Sequence, residues 1–192
     1  MPIISLSFHN ILFYFITFLW IIEFIVFKPL YKRLNYSEIQ SFKTIFVVII
    51  TIILGTISYN LFNLFIMPNY TFIYFNYIGI FLYIIGIFLR YYASYTQSKY
   101  FAQDIDVTKN QILISEGPYR LFAHPLYLGL FILVLAVPVY FGQIIWIFGA
   151  LLFFGKVILN KMKTEEKELE ESLNETYTMW LKKRYRFIPW IF

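Results

Sequence analysis

The sequence predicts an all-α integral membrane protein of about five transmembrane helices, and three observations predict it. Of 192 residues, 60% are hydrophobic, 23% aromatic and only 14% charged, which departs from the usage of soluble domains. Apolar runs recur along the chain at lengths that suit a bilayer. All sixteen Lys and Arg residues fall on one side of the alternation that five spans would create.

A spanning helix needs about 20 mostly apolar residues, and residues 10–27, 44–66 and 72–93 each supply such a run. The first lacks a basic leading segment and a small-residue cleavage site, so it reads as a span and not as a removable signal. Two shorter runs follow, "LYLGLFILVLAVPVYF" (126–141) and "QIIWIFGALLFFGKVIL" (143–159). Gly142 alone separates them, which predicts a tight helical hairpin. With the N-terminus outside, Lys28, Lys32, Arg33 and Lys43 fill the first inner loop, and Arg90, Lys99, Lys109 and Arg120 lie in or beside the second. The remaining eight basic residues run from Lys156 to Arg186. Glu23 lies within one turn of the inner end of the first span, where a snorkelling side chain or a local ion pair is expected. The working surface is therefore expected to face the cytoplasm. The Ile, Phe, Tyr, Asn and Lys bias fits an AT-rich bacterial genome, hence a bacterial inner (cytoplasmic) membrane.

Composition also removes several chemistries. Without cysteine there are no disulfides, thiolate nucleophiles or Cys-ligated zinc, and His9 and His124 alone make a His-rich metal site improbable. The net charge of +5 hugs the predicted membrane ends, which reads as a topology signal and contact with anionic lipid, not as a nucleic-acid surface. No repeat, P-loop or GxGxxG is present.

Two segments carry the polar chemistry. The inner loop 94–125 is too long for a connector, and it ends in "EGPYRLFAHPLYLG" (116–129). Its "ILISEGPY" reads as a short extended stretch and a Gly117-Pro118 turn. Pro125 suits the first position of the fourth span and leaves His124 at its N-cap, where free N–H groups and the helix dipole favour a carboxylate or phosphate. A plain cap at His124 and an interfacial anchor at Tyr127 would produce the same residues. After the hairpin, residues 161–186 read as one amphipathic helix with Met162, Leu169, Leu173, Tyr177 and Trp180 in one sector. Glu166 falls near the middle of that stripe and Glu165 at its edge, so both need polar partners, while Glu168 and Glu171 point to solvent. In the third span, Gly79 and Gly86 share a face suited to close packing, and Arg90 is expected to snorkel.

Together these residues resemble the isoprenylcysteine carboxyl methyltransferase family, which is related to the phospholipid methyltransferases. The resemblance rests on Gly86, Leu89, Arg90 and Ala93, then "LISEGPYRLFAHPLYLG", then "EEKELEESLNETYTMW" and "RYRFIP", in order over residues 86–189. It implies S-adenosyl-L-methionine as cofactor, in a cytoplasmic pocket formed by the inner loop and the C-terminal amphipathic helix. Gln111, Ile112, Leu113, Ile114, Tyr119, His124, Pro125, Leu126 and Tyr127 would line it. Glu165 would hold a polar part of the cofactor, with Glu166 beside it in the stripe, and Lys161 would meet the acceptor's carboxylate.

On this reading residues 1–192 form a single membrane domain. Residues 1–93 carry the first three spans, and 94–192 carry the inner loop, hairpin and C-terminal helix of the methyltransferase core. The partners are the lipid bilayer and a lipophilic acceptor such as an isoprenylcysteine-like carboxylate, with no nucleic acid. Ala123 stands where the family has Arg, and Arg120, one helical turn earlier, is the residue able to supply that charge. Lys161 likewise replaces an Arg. Leu173, Asn174 and Trp180 replace Phe, Gly and Tyr. Two alternatives share these elements: an NADPH-dependent membrane reductase of the sterol-reductase type, with Arg184 and Arg186 meeting the phosphate, and a non-catalytic membrane protein with a decayed pocket.

Overall fold

The computed structural model describes residues 8–26, 46–59, 61, 73–103 and 113–187. The described chain is helical: α1 (Phe8–Val26), α2 (Phe46–Tyr59), α3 (Ile73–Gln103), α4 (Pro125–Tyr140), α5 (Ile144–Leu173) and α6 (Glu175–Leu181). A single 3-10 turn, Gly117–Arg120, precedes α4. No strand occurs among the described residues, only an isolated parallel bridge between Phe122 and Tyr185.

Two stretches are long and apolar enough to cross a membrane, Tyr74–Tyr100 and Ile144–Leu173. Phe8–Glu23, Phe46–Tyr59 and Pro125–Tyr140 are apolar but shorter. Large apolar side chains stay exposed along α1, α3 and α5, among them Phe18, Phe81, Phe88 and Phe153. Such outward apolar faces suit a bundle solvated by lipid, where the buried surfaces are chosen for fit more than for hydrophobicity.

The fit is closest between α3 and α4. A Cβ at Gly79 would lie 2.5 Å from the Tyr140 Cα, and one at Gly86 would lie 2.8 Å from the Leu133 side chain. Gly129 answers from α4, where a Cβ would come within 3.2 Å of the Gly86 carbonyl oxygen. The seven-residue glycine spacing is thus a packing face, as its sequence suggested. Against it α1 brings Phe13, stacked 4.1 Å from the Tyr140 ring, and Thr17, whose hydroxyl accepts from Tyr83 at 3.1 Å.

Among the described residues, one charge pair lies inside this bundle. Glu23 of α1 is fully buried and takes the Arg90 Nε–H on both carboxylate oxygens, at 2.9 and 2.7 Å. Arg90 also donates from Nη1 to the Leu126 carbonyl at 3.3 Å. Arg90 does not snorkel, because a buried acid on the neighbouring helix gives its guanidinium a partner within reach; Glu23 is in the local ion pair.

Three boundaries differ from the sequence reading. The third span does not end at 93: α3 continues to Gln103, shortening the inner loop, whose residues 104–112 lie outside the described residues. The hairpin is tight, turning through Phe141–Gln143 with Gly142 at φ +66°. Its second arm does not stop at the membrane end, since α5 runs unbroken to Leu173 through a π segment at Ala150–Phe154. Residues 161–186 are therefore not one helix. The break comes at Asn174, with φ 47° and ψ −127°, a positive-φ conformation outside the left-handed helical region that glycine adopts most readily. The apolar stripe survives the break, because Leu169 and Leu173 of α5 pack with Tyr177, Trp180 and Leu181 around Ala123. The first inner loop with Lys28, Lys32, Arg33 and Lys43, and residues 62–66 of the predicted second span, lie outside the described residues.

Candidate functional site

Polar groups converge where α4 begins. The approach is fixed by Gly117, whose φ of +54° and Cβ position 2.7 Å from the Thr96 hydroxyl both exclude a side chain. Tyr119 then donates its N–H to the Glu116 carbonyl, and Pro125 occupies the first turn of α4. His124 takes the N-cap position, but its ring does not cap the helix. Its Nε2 instead lies 3.1 Å from Glu166 Oε1. One turn along α4, the Tyr127 hydroxyl donates to Glu165 Oε1 at 2.5 Å. Neither the simple cap nor the interfacial anchor describes these two residues.

The acids come from α5, on the face toward α4. Glu166 is buried, with 9% of its side chain accessible, whereas Glu165 keeps 27%. Lys161, one turn earlier and 8% accessible, places Nζ 3.4 Å from Glu165 Oε1. Arg186 completes the group with Nε 3.7 Å from Glu166 Oε2. The result is two carboxylates, an imidazole, a phenol, an ammonium and a guanidinium joined edge to edge, much of it shielded from solvent.

Arg186 reaches this place because the chain after α6 is tied back to the segment that leads into α4. Ala123 donates its N–H to the Tyr185 carbonyl at 2.8 Å, and Tyr185 donates to the Leu121 carbonyl at 2.9 Å. Phe187 then enters the core with its ring 5.4 Å from Phe131. Arg184 serves the same tie. It lies over the Trp180 ring at 4.2 Å and donates to the Tyr119 carbonyl at 2.7 Å and the Ser115 hydroxyl at 2.9 Å. Trp180 in turn donates to the Ile114 carbonyl at 3.2 Å.

Of the sequence candidates, His124, Pro125, Leu126, Tyr127, Lys161, Glu165 and Glu166 come together. Tyr119, Leu113 and Ile114 sit in the adjoining turn and tie, Tyr119 buried and the other two half-buried. Gln111 and Ile112 lie outside the described residues. Arg120 is exposed at the end of the 3-10 turn, which is too short a helix to carry it one turn toward the acids, and Arg186 stands at Glu166 instead. The sequence reading missed that placement because it depends on the bridge between segments about sixty residues apart. It also placed Tyr177 in the apolar stripe without regard to its hydroxyl. Tyr177 is fully buried, and its hydroxyl has no hydrogen-bond partner among the described residues. A separate apolar groove of about 450 Å³ between α2 and α5, lined by residues such as Val48, Ile52 and Trp146, shares none of these groups.

Residues 77–171 match the sequence model of the isoprenylcysteine carboxyl methyltransferase (ICMT) family. The chain belongs to that family. No curated protein and no solved structure matches it. ICMT membership makes this a membrane methyltransferase, and the helices at Tyr74–Tyr100 and Ile144–Leu173 agree with that setting. The ICMT match includes His124, Tyr127, Lys161, Glu165 and Glu166, and leaves out Glu23, Tyr177, Arg184 and Arg186.

Proposed function

We propose that this ICMT-family protein transfers a methyl group from S-adenosylmethionine to the carboxylate of a lipophilic acceptor, at the polar cluster between the start of α4 and the inner half of α5. The observation that carries the proposal is the convergence of Tyr127, Lys161, Glu165, His124 and Glu166 within the family-matched segment. The donor set fits the cofactor. Two carboxylates suit its ammonium and hydroxyl groups, the first turn of α4 offers free N–H groups to its carboxylate, and a buried hydroxyl at Tyr177 is left over for a further polar contact.

When bound, S-adenosylmethionine supplies an electrophilic methyl group on a positively charged sulfur. The protein's work is then alignment and exclusion of water. Glu165, aimed by Tyr127, holds one polar edge of the cofactor. Glu166, braced by His124 and Arg186, backs the other. Lys161 meets the acceptor's carboxylate as a point charge, without the bidentate grip of an arginine, which leaves the nucleophilic oxygen freer. A carboxylate nucleophile needs no general base, so no catalytic triad is required.

The membrane arrangement belongs to the same proposal: one domain over 1–192 with five spans, the shorter helices α1, α2 and α4 crossing beside the two long ones. The N-terminus is outside and the cluster faces the cytoplasm of a bacterial inner membrane, where the acceptor arrives sideways from the bilayer. Labelling tests the orientation. In a chain without native cysteine, Ile144→Cys at the exposed hairpin turn should react with an impermeant maleimide from outside only, and reaction from the cytoplasmic side alone would overturn the topology. Function is tested by incubating purified protein with radiolabelled S-adenosylmethionine and a lipid extract. Label should enter a base-labile ester in the lipid phase. Tight NADPH binding with no methyl transfer would reject the proposal.

A further inference from the structure

Tyr177 presents a contradiction that a ligand resolves. It lies on α6, beyond the family-matched segment, and is fully buried against Ala123 and Leu181. A phenylalanine would fill that space equally well, yet the residue carries a hydroxyl with no partner among the described residues. An unsatisfied buried hydroxyl is costly, and such groups are uncommon in native structures. Its surroundings are those of the cluster: Glu166, Glu165, Glu170 and Arg186 all act on it electrostatically. Burial first, and Glu166 second, push its phenol up from the usual tyrosine value, so it remains a protonated donor across the working range.

We propose that the Tyr177 hydroxyl is a cofactor contact, donating a hydrogen bond to a neutral acceptor on the nucleoside half of S-adenosylmethionine, a ribose hydroxyl oxygen or a ring nitrogen. The inference rests on the cofactor reading above. Of the charges that act on the hydroxyl, Glu166 outweighs Arg186, and Glu170 and Glu165 add to it, which disfavours a ligand carboxylate here and leaves the neutral acceptors of the nucleoside. The amino-acid half of the cofactor then falls toward the first turn of α4, where the helix dipole favours its carboxylate. Ala123 permits the arrangement, since its small side chain leaves Tyr177 room to pack directly on the segment that leads into α4.

The test is Tyr177→Phe, which removes one oxygen and keeps the packing. A purely structural tyrosine predicts that this variant is as stable as the parent or melts a few degrees higher, because an unsatisfied polar atom is gone, and that its ligand affinity is unchanged. The proposal predicts the same stability with weaker binding, roughly threefold to tenfold for the loss of one neutral hydrogen bond. Calorimetry on detergent-solubilised full-length protein reads it, with S-adenosylmethionine and with 5′-methylthioadenosine, which keeps the nucleoside and lacks the amino-acid half. The loss should be the same for both ligands. Parent-like affinity of Tyr177→Phe for both overturns the proposal while leaving the cofactor reading intact. A loss confined to S-adenosylmethionine overturns the assignment to the nucleoside half. Failure of the parent to bind either ligand removes the cofactor reading itself.

Discussion

Among the described residues, the protein buries carboxylates in two places and treats them differently. Glu23 in the bundle is fully enclosed, with Arg90 on both of its oxygens at 2.9 and 2.7 Å and Ser94 nearby at 3.4 Å. Glu166 of α5, beside the start of α4, is nearly as buried, yet its partners are His124 at 3.1 Å and Arg186 at 3.7 Å, the second beyond hydrogen-bond distance and about half exposed. Its neighbour Glu165 shares one oxygen between Tyr127 and Lys161. The first acid is closed within two helices. The second pair is held by three chain segments that meet through one bridge, so its partners can be exchanged for a ligand at smaller cost. On the proposed function, burial of charge marks structure in the first region and binding capacity in the second.

Breaking the bundle pair should give the largest effect. Glu23→Gln leaves Arg90 buried without its counter-charge and is expected to destabilise the protein by about 3–5 kcal/mol, read as a fall in thermal midpoint in detergent. The double variant Glu23→Leu with Arg90→Met removes both charges and should recover most of that loss. Neither should shift cofactor affinity of the folded protein by more than about 0.5 kcal/mol. A large loss of affinity in the stable double variant would erase the distinction between the two regions.

Glu165→Gln should do the reverse. It keeps shape and the bond from Tyr127 but leaves the buried Lys161 ammonium without its counter-charge, so stability falls by less than in Glu23→Gln because Glu165 is partly exposed, while the loss of a charge-assisted contact weakens cofactor binding by about 1.5–3 kcal/mol. Packing offers an intermediate control. Gly86→Ala drives a methyl into Leu133 and should cost about 1–3 kcal/mol of stability without a selective effect on binding.

The same contrast explains what the sequence made legible. The helices, the hairpin turn at Gly142 and the glycine face of α3 follow from local pattern: apolar length, turn chemistry and spacing. So does the placement of Glu165 and Glu166, because both lie on α5, where the angular period holds as far as Leu173. What failed was non-local. No periodicity reveals that Arg90 finds Glu23, 67 positions away, instead of snorkelling. The break at Asn174 was visible as an Asn in a glycine position, but the amphipathic stripe continues across it and masks the change in direction. Arg120 was expected to supply the charge missing at Ala123 because it is close in sequence, and only the bridge between Phe122 and Tyr185 brings Arg186 to Glu166 instead.

The smallest expected effects sharpen the site's internal division. Lys161→Met removes the ammonium beside Glu165 but leaves the Tyr127 bond, so cofactor affinity should change by less than about 0.5 kcal/mol while turnover on an anionic acceptor falls. Glu168→Gln on the exposed face should change neither quantity beyond that margin.

The most direct measurement is the affinity of Glu165→Gln for S-adenosylmethionine, by calorimetry in detergent beside the parent and Glu168→Gln. The parent and Glu168→Gln should bind alike, with Glu165→Gln weaker by roughly tenfold or more. Equal affinity in all three proteins would contradict the assignment of the α5 carboxylates to the cofactor, and with it the central claim that this cluster is the site of methyl transfer.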